Sequence, residues 1–142
     1  MTSLERLHAF IADMLQWETT FHAKRRSQEY RQNAALREQS DKEAKEKLEN
    51  IFKEYLSMNA LETRAKGRLD LLNTGQPPEF AQRVLNDTEC KVGKVVYIEA
   101  LNEKDLAPHR RYAIVMENDV PKIDAVFSRL NEGAKWGKRH SI

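Results

Sequence analysis

The sequence has little with which to build a covalent or metal-based framework. Cys90 is its only cysteine, which excludes an intrachain disulfide and a cysteine-rich metal knuckle and suits a reducing compartment. Its predicted place is inside a strand beside a turn, as a small packed side chain. The histidines His8, His22, His109 and His140 are scattered, and none makes the paired spacing with an acidic partner that a helical zinc site uses. No glycine-rich phosphate loop occurs, and no serine stands in a nucleophile-elbow setting. No apolar run approaches the ~20 residues needed to cross a bilayer. The opening Met1-Thr2-Ser3-Leu4-Glu5-Arg6 interrupts its apolar positions with charge at once, unlike a secretory signal. These absences predict a cytoplasmic protein with no membrane partner and no cofactor. A dominant charge is also missing. Lys and Arg number 24 against 22 Asp and Glu, a net charge of +2, far from the dense basic excess of a dedicated nucleic-acid binder.

What is present divides the 142 residues into a helical front and a β back, the pattern of an α+β fold in one domain over residues 1–130, with a loosely ordered basic tail over 131–142. Thr2 and Glu5 form a capping-box pair at a helix start. From there Leu4, Leu7, Ile11 and Met14 and the neighbouring row Phe10, Met14, Trp17 and Phe21 recur at spacings of three and four, which predicts a helix to about residue 23. Lys24-Arg25-Arg26-Ser27-Gln28-Glu29-Tyr30-Arg31-Gln32-Asn33 has almost no apolar face. It reads as a solvated stretch or bend, with a phosphate contact as the alternative for its basic cluster. Ser40 and Glu43 make a second capping-box candidate, followed by the stripe Ala44, Leu48, Ile51, Phe52, Tyr55 and Leu56. The next predicted breaker is Gly67, and Arg68-Leu69-Asp70-Leu71-Leu72 reads as a short strand.

Downstream, Pro77-Pro78 removes two amide donors and marks a loop or sheet edge. Cys90-Lys91-Val92 and Val95-Val96-Tyr97-Ile98 flank Gly93-Lys94 as a hairpin. Residues 111–116 and 122–127 flank Asn118-Asp119, residue types that tolerate the turn hairpins prefer. A two-residue loop there sets Glu117 opposite Val120, Met116 opposite Pro121, Ile114 opposite Ile123 and Tyr112 opposite Ala125. One face then holds Tyr112, Ile114, Met116, Ile123, Ala125 and Phe127, and Arg111 lies diagonal to Asp124 on the other. Asp70, Glu99, Tyr112 and Asp124 are acid or base candidates for a pocket. Their separations carry no catalytic pattern, so no catalytic residue is assigned.

The order of four segments carries a resemblance. Trp17-Glu18, then Ile51-Phe52-Lys53-Glu54-Tyr55, then Pro77-Pro78-Glu79-Phe80, then Arg111-Tyr112-Ala113-Ile114-Val115 followed by Lys122-Ile123-Asp124 occur in that sequence. Over about residues 10–124 this arrangement resembles the immunity proteins with a nuclear-transport-factor-2-like fold, found beside polymorphic and Rhs-type toxins in bacteria. Two stretches depart from that pattern. Phe80-Ala81-Gln82 stands where the family tends to read Tyr-Asp-Pro, and Asn118-Asp119-Val120-Pro121 stands where a glycine and an aromatic residue are usual. The resemblance implies a cone in which N-terminal helices pack on a curved antiparallel sheet. It also implies a function by binding, in which a cognate toxin domain is captured in the cytoplasm of the producing cell. For that role the candidate contacts are Glu99, Glu103, Lys104, Asp105 and Arg110 on one charged loop and Glu79 and Phe80 on the double-proline loop, since loops held by a sheet often carry recognition residues. A homodimer through an exposed sheet face is a further expectation. Two alternatives stand beside this reading. One is an isomerase or hydrolase of the same cone-shaped fold acting on a small molecule in the sheet cavity; the other is a nucleic-acid adaptor using Lys24, Arg25, Arg26 and Arg31.

Overall fold

The computed structural model describes residues 1–142. Five helices, α1 (Ser3–Arg26), α2 (Gln28–Gln32), α3 (Ala34–Tyr55), α4 (Met58–Thr63) and α5 (Lys66–Leu71), precede four strands, β1 (Arg83–Val92), β2 (Val95–Leu101), β3 (His109–Glu117) and β4 (Val120–Arg129). The strands form one antiparallel meander in the order β1-β2-β3-β4. The α+β class read from the sequence is therefore the observed one.

Helix α1 starts where the capping residues place it. The Thr2 hydroxyl accepts from the Glu5 amide at 3.1 Å and donates to the Glu5 carboxylate. Its apolar stripe, from Leu7 through Phe10, Ile11, Met14 and Trp17 to Phe21, is buried. The basic run after it does bend: Ser27 ends α1 and caps the short α2. Ser40 is not a helix start. Asn33 caps α3 by accepting from the Leu36 amide at 3.1 Å, and Ser40 sits about two turns inside, buried on the face that meets α1.

Residues 68–71 form the end of α5, with Leu72 as its left-handed C-cap, and not a strand. Ala65, Arg68, Leu69 and Leu72 lie three and four apart and turn inward, while Leu71 is exposed. Helical spacing thus prevails over the local alternation, and Gly67 lies within the helix.

The β3–β4 hairpin turns through Asn118 and Asp119, both at positive φ, with the expected pairs Glu117–Val120, Met116–Pro121 and Ile114–Ile123. Beyond them a β-bulge at Asp124 shifts the register, so that Ala113 pairs with Ala125, Tyr112 with Val126 and Arg111 with Phe127. An extra residue in one strand exchanges its faces from that point on. Val126 joins the core in place of Phe127, and Phe127 moves to the outer face beside Arg111. Met116, expected on the packed face, is exposed, as is Cys90 on β1.

The free edge of β4 is covered along its length. Leu56 bridges to Ile123, the Ser57 amide donates to the Ile123 carbonyl at 2.9 Å, and the Ser57 hydroxyl donates to Asp124 at 2.7 Å. The rest is covered by the C-terminal tail, which has no helix or strand but is fastened and not loose. The Gly137 and His140 amides donate to the carbonyls of Ser128 and Val126, and the Ile142 amide donates to that of Arg64. Ile142 is buried with the core. The opposite edge, β1, is broken by a register shift between Leu85 and Cys90 and carries charged side chains, both features that discourage further strand pairing.

Candidate partner-binding surface

The space between helices and sheet, where a small-molecule site in such a fold would lie, is filled. Phe10 of α1 is fully buried and meets Tyr55, Phe80 and Tyr112 edge-on, with ring centroids 5.7, 6.0 and 6.5 Å away. Val126 and Ile142 close the remaining side, and the cavity left among Phe80, Tyr112 and Ile142 measures about 10 Å³, too little for a small-molecule ligand. Tyr112 donates to the Gln82 side chain at 2.6 Å, and burial pushes its phenol pKa far above the ordinary value. Tyr55 is pushed up to about 12 by burial and by its hydrogen bond to Asp13. Both phenols are thus held protonated as donors.

Two of the segments that carried the resemblance meet here. Glu18, fully buried, accepts from the amides of Gly75, Glu79 and Phe80 at 2.7, 3.0 and 2.9 Å. Its carboxylate therefore shapes the double-proline loop by satisfying three backbone donors that would otherwise be stranded in the interior. Gly75 is required at this point, since a Cβ would lie 2.9 Å from the Pro77 carbonyl oxygen. Trp17 donates to the Ala44 carbonyl at 2.9 Å, fixing α3 against α1.

The interior arginines are all neutralised. Arg6 pairs with Glu54 at 2.9 Å and also binds the carbonyls of Pro121 and Glu54. Arg68 pairs with Glu79 and binds the carbonyls of Asn73 and Ile142. Arg110 pairs with Asp105 at 2.6 Å and binds the Ala107 carbonyl.

These contacts revise the loop residues expected to meet a partner. Phe80 is a core residue and Arg110 is buried, so neither presents a side chain outward. Glu79 and Asp105 are held by Arg68 and Arg110, and Glu99 by Arg129 at 3.3 Å. Glu103 and Lys104 are exposed; Glu103 lies 3.6 Å from the exposed Arg83. The structure does not gather the seven into one surface.

A more concentrated feature lies on the outer face of the sheet. Arg111 of β3 has its guanidinium 4.6 Å from the Tyr97 ring centroid, 5.3 Å from Phe127 and 5.1 Å from Trp136 of the tail. Arg129 stacks on the same Trp136 at 4.1 Å. Pairing of β2, β3 and β4 sets Tyr97, Arg111 and Phe127 on one side, and the bulge at Asp124 is what brings Phe127 there. Half-buried aromatic rings with arginine at their centre are the composition that dominates protein interfaces. Sequence reading without the bulge placed Phe127 inside, and nothing in composition marked Trp136 as its neighbour.

A second concavity, about 690 Å³, runs between α1 and α3, with Trp17, Phe21, Ala44 and Ile51 among polar and charged side chains. No group of His, Cys, Asp and Glu side chains is arranged to hold a metal ion, and no helix is long and apolar enough to cross a membrane.

Against known proteins, residues 3–140 match the family model described as NTF2 fold immunity protein. No curated protein and no solved structure matches the chain. The helices laid on an antiparallel sheet agree with that fold, and the match spans nearly the whole sequence: the chain belongs to the NTF2-fold immunity proteins.

Proposed function

We propose that the protein protects the cell that makes it by binding a cognate toxin domain in the cytoplasm and holding it in an inactive, stoichiometric complex. Family membership supplies the class of partner, and the observation that carries the mode of action is the filled interior. With about 10 Å³ left beside Phe80, Tyr112 and Ile142, the space between helices and sheet offers no chamber to a substrate; the open concavity of about 690 Å³ lies outside it, between α1 and α3. The alternative of an isomerase or hydrolase needs ionisable groups facing an open apolar pocket. Here the buried arginines are matched by carboxylates and backbone carbonyls, and the buried Tyr112 hydroxyl is donated to Gln82.

The toxin belongs by this reading to a polymorphic, Rhs-type system, and Glu103 and Lys104 remain accessible for contacts at the rim of the complex. Rim charges of that kind speed encounter more than they hold the complex together. The experiment is co-expression with the toxin domain encoded by the reading frame immediately upstream. Restored growth and copurification in equal amounts are expected. Unrelieved toxicity without copurification would reject the proposal.

A further inference from the structure

Arg111 differs from the other arginines that stack on aromatic rings in the body of the fold. Arg6, Arg68 and Arg129 each combine a ring contact with a carboxylate, and Arg25, over Phe21, with the Leu72 carbonyl, although the Arg129 Nε is itself unpartnered. Arg111 touches three rings, yet no carboxylate lies within salt-bridge distance and its buried Nε has no acceptor. Its terminal amino groups have no acceptor either and reach solvent. A guanidinium in this state has lost part of its hydration and has not regained it in hydrogen bonds. The three rings also enclose it, so little rotamer freedom remains to be lost when a planar anion arrives.

The charges around it are unbalanced. Arg129 is matched by Glu99 at 3.3 Å and Arg139 approaches Asp124 at 4.0 Å. Arg111 is not matched. It alone among these arginines has no carboxylate, and an unmatched guanidinium calls for a negative counterpart.

We infer that Arg111 is the anchor of the toxin-binding surface, and that its counterpart is an aspartate or glutamate side chain of the toxin domain, gripped by the guanidinium edge inside the Tyr97–Phe127–Trp136 frame. This rests on the immunity reading. A carboxylate suits the planar fork in bidentate geometry. Single-stranded nucleic acid suits the site less well, because base stacking needs free ring faces and guanidinium groups already lie over these rings.

The test is calorimetric titration of the purified chain and its variants with the purified toxin domain from the upstream reading frame, with melting curves as a control on folding. Arg111→Gln is expected to weaken binding about 30-fold or more, the effect of removing one member of a desolvated charge pair. Arg111→Lys, which keeps the charge but not the fork, should fall in between, and it carries the test if Arg111→Gln does not fold. Arg111→Glu should abolish binding, and one acidic-to-lysine substitution on the toxin should restore it. If the unaltered chain forms no complex, the immunity reading fails and this inference with it. If the chain binds but folded Arg111→Gln binds within about threefold of it, only this inference fails. Tight binding of a single-stranded oligonucleotide, lost in Arg111→Gln while toxin binding is kept, would also overturn it.

Discussion

Inside the cone, Arg6, Arg68 and Arg110 are each buried and each joined to a carboxylate and to backbone carbonyls. On the outer face Arg111 is enclosed by three rings and joined to no acceptor. The same residue type thus serves two ends. A cation withdrawn from water needs its partners within the chain if it is to support folding, because an unmatched buried charge is strongly unfavourable. One left half-buried and unmatched is tolerable only at a surface, where water remains available until a partner replaces it. The inner face is closed by its own side chains, and the outer face is the one proposed above to be completed by a partner protein.

The largest expected effect breaks the inner side of that comparison. Phe10→Ala removes the ring against which Tyr55, Phe80 and Tyr112 pack, and should lower the unfolding free energy by about 3–5 kcal/mol in a denaturant titration. A loss below about 1 kcal/mol would mean that the interior is not the close-packed plug described. Glu18→Gln comes next. It leaves the volume nearly unchanged but turns an amide donor toward one of the three backbone donors of the double-proline loop, with an expected loss of about 2–3 kcal/mol and faster proteolysis of that loop.

The smallest effect concerns the tail. Burial, and further out the Arg110 and Arg68 charges, hold the His140 pKa below its ordinary 6.5. The unfolded chain therefore takes up a proton first as pH falls through 6.5, so stability from this group is present above that pH and declines below it. His140→Gln should reduce the loss of melting temperature between pH 7.5 and 5.5, by an amount that solvent at the ring's exposed edge keeps below about 1 kcal/mol. An identical pH dependence in both proteins would show that the tail does not hold His140 against the fold.

Much of the inner face was legible from sequence, and less of the outer. Leu7, Phe10, Met14 and Trp17 announce their buried stripe because helical periodicity is a local property. The Asn118-Asp119 turn and the first pairs of its hairpin are local as well. The bulge at Asp124 is not. It is stabilised from outside the hairpin by the Ser57 hydroxyl, so strand alternation predicts the wrong face for Phe127 and hides the outer cluster. The strand expected at residues 68–72 failed for a related reason: Arg68 looks like a surface residue until Glu79, Asn73 and Ile142 are seen to surround it. Phe80 and Arg110 were expected at a binding loop because their neighbours are charged, and their burial follows from contacts with residues distant in sequence. The order of Trp17-Glu18 and Pro77-Pro78 was informative because Glu18 physically holds that loop.

The central claim is that the interior arginines belong to the fold and Arg111 to the partner. It is tested most directly by the affinity of Arg68→Gln and Arg111→Gln for the upstream-encoded toxin domain, measured by calorimetry at a temperature where both are folded. Arg68→Gln should melt earlier but bind within about threefold of the unaltered chain, while Arg111→Gln should keep its melting temperature and lose about 30-fold or more in affinity. Full affinity in Arg111→Gln together with a collapse of binding in folded Arg68→Gln would contradict it.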